Sequence, residues 1–142
     1  MATTPALAHI TPAHIRAYVG KPYQLGANGP DAYDCRGLVC DVLRRHFGRA
    51  VPDLPVGSDM GALWSASVTS GAWETVDAPR EGDAVVMRGG ADPHVGVYLE
   101  TAGPGILHAF AAAGQVVWTP LDRLRMLGFS RLSYVRCHAV AP

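Results

Sequence analysis

The chain has 142 residues, room for one domain with a substantial core and too little for two. Apolar residues make up 49 % and charged residues 17 %, a balance that excludes intrinsic disorder. Twelve Lys and Arg face twelve Asp and Glu, so there is no basic excess to hold a phosphate backbone, and no nucleic-acid partner is expected.

Three cysteines are too few for a disulfide scaffold, and their odd number leaves at least one thiol unpaired within a monomer. No Cys-x-x-Cys and no close Cys/His pair offers a metal site, so neither metal nor cofactor is expected. No stretch approaches the roughly 18 apolar residues of a membrane span, so no membrane partner is expected either. Met1 to Ile10 lacks a basic cluster followed by an apolar core and does not read as a secretory signal. The expectation is synthesis in the cytoplasm, with something larger carrying the protein to its workplace. Glycine and proline are dispersed, without repeat or linker, so residues 1–142 read as a single domain.

In chain order, Thr11-Pro12 is a helix start, a hydroxyl cap followed by proline, and Gly20 ends that short helix after about Val19. Lys21 to Asp34 is rich in Gly, Pro, Asn and Asp and reads as a loop. From Cys35, apolar residues recur at Leu38, Val39, Val42, Leu43 and Phe47, one face of an amphipathic helix that Asp34 caps and Gly48 terminates. Val51 to Gly57 is a proline-punctuated loop, and Ser58 to about Ser67 reads as a second short helix. Strands are expected near Trp73–Val76, Ala84–Arg88, Val95–Glu100, Ile106–Phe110, Gln115–Trp118 and Leu132–Cys137. Thr119-Pro120 opens a short helix over about Leu121 to Leu127, stopped by Gly128. Helices first and strands later imply an α+β fold, with an antiparallel sheet packed on the long helix.

Cys35 falls in the first turn of that helix. Free N–H groups and the positive end of the helix dipole lower a thiol pKa there and raise its thiolate fraction. The same N–H groups can hold an oxyanion. The alternative is a small apolar residue on the buried helix face. His94 shares a strand face with Gly96 and Tyr98, and His108 shares one with Ile106 and Phe110. Antiparallel pairing of these strands through Thr101–Gly105 brings the two imidazoles together. Against the Cys35 helix they would supply thiol, base and orienter. Two unrelated half-buried histidines are the competing reading.

These residues carry a resemblance. The run GKPYQLGANGPDAYDCRGLVCDVLRRHFG, then PREGDAVVM, HVGVYLE and ILHAF, in that order, resembles the signature of the NlpC/P60 cysteine peptidases. The resemblance implies a papain-like α+β fold, with N-terminal helices packed on an antiparallel sheet of five or six strands. It implies hydrolysis of peptidoglycan stem peptides, typically between D-glutamate and a diamino acid. It makes Cys35 the nucleophile, His94 the base and His108 the third member, with Tyr23 and Asp34 shaping the substrate pocket. A narrower resemblance is to the members found in phage tails and gene-transfer particles. It rests on the missing signal, the PDAYDC approach, the VPDLP after the helix and the closing RLSYVRC. It implies a virion or tail location, tail-tip neighbours as partners, and action in the cell wall or periplasm. Two alternatives stand beside the peptidase: a structural tail component on the same fold, and an amidase or acyltransferase.

One position departs from the pattern. Many cell-wall members have serine after the cysteine, associated with recognising a free amino end, and this chain has Arg36. A guanidinium accepts no hydrogen bond and is cationic, so a ligand carboxylate suits Arg36 better. Elsewhere the plain readings hold. Cys40 and Cys137 are structural thiols, and His9, His14, His46 and His138 face solvent. Arg44, Arg45, His46 and Arg49 form a solvated face. Trp73 and Trp118 belong to the core, while Trp64 is a candidate for the pocket rim.

Overall fold

The architecture, seen in a computed structural model, is described for residues 10–51, 72–89 and 94–138. The Ser58–Ser67 helix, Trp64, His9 and most of the VPDLP segment lie outside the described residues. Helix α1 spans Pro12–Tyr18, and the Thr11 hydroxyl accepts from the His14 backbone N–H at 3.2 Å. Helix α2 spans Cys35–Phe47, the bounds its periodicity predicts. Gly48 closes it at φ 61°, a left-handed cap that glycine adopts without a Cβ penalty.

Among the described residues six strands follow: β1 Trp73–Val76, β2 Ala84–Arg88, β3 His94–Leu99, β4 Gly105–Phe110, β5 Gln115–Pro120 and β6 Arg131–Cys137. They form one antiparallel sheet in the order β1-β6-β2-β3-β4-β5. Each strand lies within two residues of its expected place. A 3₁₀ turn at Ala111–Ala113, which periodicity does not flag, joins β4 to β5. The segment Leu121–Leu127 is also 3₁₀, and Gly128 stops it at φ 95°. Thr119 belongs to β5 and caps nothing there.

Alternation along the strands divides the core in two. Val95, Val97 and Leu99 of β3, with Leu107 and Ala109 of β4, face α2 and meet Leu38, Val39, Val42 and Leu43. Deleting one such buried leucine to alanine costs about 2–5 kcal/mol. The opposite face carries Tyr98, Ile106, Val85 and Met87, covered by Leu124 and Phe129. Apart from the half-buried His94 and Phe110 at their ends, both faces of β3 and β4 are buried, and polar side chains there sit in an apolar setting. At the start of β2, Asp83 accepts two bonds from the Arg136 guanidinium of β6, at 2.9 and 2.8 Å, in a fork that ties these strands.

The cluster expected to be solvated is partly engaged. Asp41 accepts from Tyr18 (2.8 Å), Tyr33 (3.0 Å) and Arg45 (3.2 Å), tying α1 and the loop to α2. Because Tyr18 donates to Asp41, its oxygen accepts from His46 Nε2–H at 3.1 Å. His46 is therefore half-buried, contrary to the expectation of a solvent-facing histidine. His14 stays exposed but packs on His46, with ring centroids 4.6 Å apart. Arg44 donates to the Val51 carbonyl. Cys40, Cys137 and Trp73 are buried.

Candidate active site

Asp34 and Cys35 meet at the N-terminus of α2. The Asp34 carboxylate, 3 % exposed, caps the helix by accepting from Gly37 N–H at 2.6 Å. Its second oxygen accepts from Gly26 N–H at 2.8 Å, pinning the Lys21–Asp34 loop to the helix. Gly37 completes the fit, since a Cβ there would come within 2.1 Å of the Ala27 carbonyl oxygen.

Cys35 is half-buried at the first helical position. The backbone N–H groups of Val95, Arg36 and Cys35 itself lie against its sulfur and favour the thiolate. Val95 is the neighbour of His94, so the sulfur reaches the first residues of β3. Burial nevertheless dominates and pushes the thiol above its ordinary value, with the Asp34 charge adding to the rise. This corrects the expectation from the helix dipole. The resting group is a protonated thiol, which needs a base to become a nucleophile.

On the neighbouring strands β3 and β4, the histidines are bonded to each other. His94 Nε2 lies 2.8 Å from His108 Nδ1, and His108 Nε2 lies 2.9 Å from the Thr119 hydroxyl. Pairing of Val97 with Leu107 sets Gly96 beside His108. A Cβ on Gly96 would stand 2.5 Å from Ile106 Cγ2 and 3.0 Å from His108 Cβ, so glycine is what admits the ring. Aromatic rings close the other sides. Phe129 stacks on His94 with centroids 5.3 Å apart and planes 13° apart, and Phe110 is tilted against both imidazoles at 5.8 and 5.5 Å. In that enclosure burial lowers His94 to about 4, and burial with the neighbouring His94 charge lowers His108 to about 3. Both rings are neutral at physiological pH.

Tyr23 is near this centre. Burial raises its phenol, with smaller contributions from the charges of Cys35 and Asp34. Arg36 is 9 % exposed and turned back onto the loop, 3.7 Å from Asp34 and 3.4 Å from the Asn28 side-chain oxygen. Its charge is already met by Asp34, so the guanidinium is not the open carboxylate receptor the sequence suggests.

A thiol at a helix N-terminus, then a bonded pair of neutral imidazoles on two neighbouring strands, matches the residue order of one known family. The sequence profile of that family, NlpC/P60, covers residues 20–126, most of the chain. The chain belongs to the NlpC/P60 family. No curated protein sequence matches it. NlpC/P60 proteins are generally cysteine peptidases and related hydrolases that act on the peptides of peptidoglycan. Membership therefore points to a peptidase or amidase of the cell wall. The matched span takes in Tyr23, Asp34, Cys35, Arg36, His94, His108 and Thr119.

Sequence reasoning about this NlpC/P60 chain brings Cys35, His94 and His108 forward, sets Phe110 on the strand face of His108, and misses Thr119 and Phe129. Thr119 carries a helix-start signal, Thr-Pro, that draws attention from its strand position. Its placement could have been read from the period of two along β5, where Val117 and Thr119 share a face. Phe129 follows the second 3₁₀ segment and has no spacing signal toward His94.

Proposed function

We propose that this protein is a cysteine endopeptidase of peptidoglycan stem peptides, cutting between D-glutamate and the diamino acid on a papain-like domain. The observation that supports it is the bonded chain His94–His108–Thr119, whose first member is next in sequence to Val95, the residue whose N–H meets the Cys35 sulfur. In this reading His94 is the base. Its Nε2 is taken by His108, which leaves Nδ1 to receive the Cys35 proton. Thiol and imidazole both rest neutral, so proton transfer accompanies attack on the carbonyl carbon instead of preceding it. The sulfur–carbon bond forms as the carbonyl oxygen takes up charge near the α2 N–H groups. Collapse expels the amine, protonated by His94, and leaves a thioester. Water, deprotonated by His94, then hydrolyses it to free carboxylate and thiol. Tyr23 and Asp34 shape the pocket wall, and Arg36 braces that wall through Asp34 and Asn28. Delivery by a tail-like particle, with tail-tip neighbours, is the narrower part of the proposal and rests on the sequence likeness alone.

The test is digestion of purified peptidoglycan, with muropeptides read by mass spectrometry beside a Cys35→Ala control. The expected products are stem peptides cut after D-glutamate, absent with Cys35→Ala. Cleavage at the sugar–peptide amide would make the protein an amidase. No new product from either protein would remove the hydrolase reading.

A further inference from the structure

We infer that Thr119 is a positioning residue that sets the proton arrangement of the whole site through His108. The inference rests on the proposed roles of Cys35 and His94. For His94 to take the thiol proton at Nδ1, that nitrogen must be bare, so its hydrogen sits on Nε2. Nε2 then donates to His108 Nδ1 across 2.8 Å, and that nitrogen must be bare as well. A neutral imidazole carries one hydrogen, so His108 bears it on Nε2 and donates to the Thr119 oxygen across 2.9 Å. The opposite arrangement starts with Thr119 donating to His108. Each ring then carries its hydrogen on Nδ1, and His94 presents N–H to the sulfur and can accept nothing from it.

Three observations make Thr119 the deciding residue. His108 is fully buried, so no bulk solvent reaches its Nε2. Thr119 is itself buried on the neighbouring strand, and its hydroxyl is the side-chain partner found at that nitrogen. His108 resists protonation, so it cannot satisfy both neighbours by becoming an imidazolium. When His94 becomes cationic during attack, its Nε2–H still needs the bare His108 Nδ1. An acceptor at Thr119 thus holds the productive form before and during the reaction. Replacing the hydroxyl by a methyl group strands the Nε2–H in an apolar wall and favours the form that cannot accept the thiol proton.

The experiment reads imidazole nitrogen-15 shifts in the full chain, together with stem-peptide hydrolysis, for wild type, Thr119→Val and Thr119→Ser. Wild type is expected to show His108 protonated on Nε2 and bare on Nδ1. Thr119→Ser keeps those shifts and the rate. Thr119→Val moves the proton toward Nδ1 and lowers kcat by about 10- to 100-fold with KM unchanged. Wild-type His108 protonated on Nδ1, or Thr119→Val with unaltered shifts and kcat, overturns the inference. Should Thr119→Val fail to fold, the wild-type and Thr119→Ser shifts decide alone. A chain with the expected protons that hydrolyses no stem peptide keeps the positioning role and loses the proposed function. The converse result loses only the positioning role.

Discussion

Phe129 lies nearly parallel to the His94 ring and shields it from water, while His108 behind is shielded by Phe110 and the sheet. The low His94 value follows from that shielding, because an imidazolium there forfeits hydration without gaining a carboxylate. The sign of the consequence is direct. In the proposed mechanism His94 can accept a proton above about 4 and not below it, so the acid limb of kcat/KM should fall near pH 4. Phe129→Leu keeps an apolar side chain but opens the ring face. Its acid limb should move up toward the ordinary imidazole range, read from kcat/KM against pH in buffers of constant ionic strength. A limb that stays in place would assign the low value to the other walls of the site. Cys35, His94 and His108, the residues of the proposed mechanism, stand out in the sequence because few residue types can perform such chemistry, and Cys35 and His94 each open an element. The side of β5 that Thr119 takes follows from the period of two, but its meeting with His108 depends on strand pairing, and Phe129 arrives by a loop return that no local spacing encodes.

The first turn of α2 is held by two features that pull in opposite directions on stability. Alanine is the better helix former than glycine by about 1 kcal/mol, so propensity alone favours Gly37→Ala. The methyl group would instead meet the Ala27 carbonyl oxygen at 2.1 Å and the Asn28 Cα at 3.0 Å, both backbone atoms of the capping loop. Overpacking of this kind costs about 1–3 kcal/mol and should win. Gly37→Ala is expected to lower Tm by a few degrees and to slow hydrolysis, since the loop carries Tyr23 and the Gly26 N–H that steadies Asp34. Scanning calorimetry checks it, and a raised Tm would show that the loop yields freely. The two helices and six strands were readable because caps, glycine stops and the change of period from 3.6 to 2 all agree. The placement of β6 between β1 and β2 was not, because it depends on pairing between distant parts of the chain. The Asp83–Arg136 fork that marks this placement joins residues no spacing rule relates.

At the scale of the molecule, a half-buried His94 and a fully buried His108, both held neutral, make folding depend on pH. An unfolded histidine binds its proton near 6.5, whereas His94 and His108 do so only near 4 and 3 in the fold. The unfolded chain therefore holds more protons between those values. The stability these rings allow is complete above about 6.5 and is lost as pH falls toward 4 and below. His94 alone accounts for about 3 kcal/mol by pH 4. Urea unfolding from pH 4 to 8 should show the decline, and His94→Gln should flatten it. Parallel curves for the two proteins would mean that the ring does not stay neutral. The same two-sided core has another effect. The thiol comes from the layer under α2, and the base from the layer under Phe129 and Leu124. In the proposed mechanism, hydrolysis is therefore a logical conjunction of two separately packed halves. Melting only the outer half would leave a folded helix with a chemically modifiable thiol and no enzyme. Loss of turnover on warming should precede loss of helix, read by activity and circular dichroism on one heating ramp.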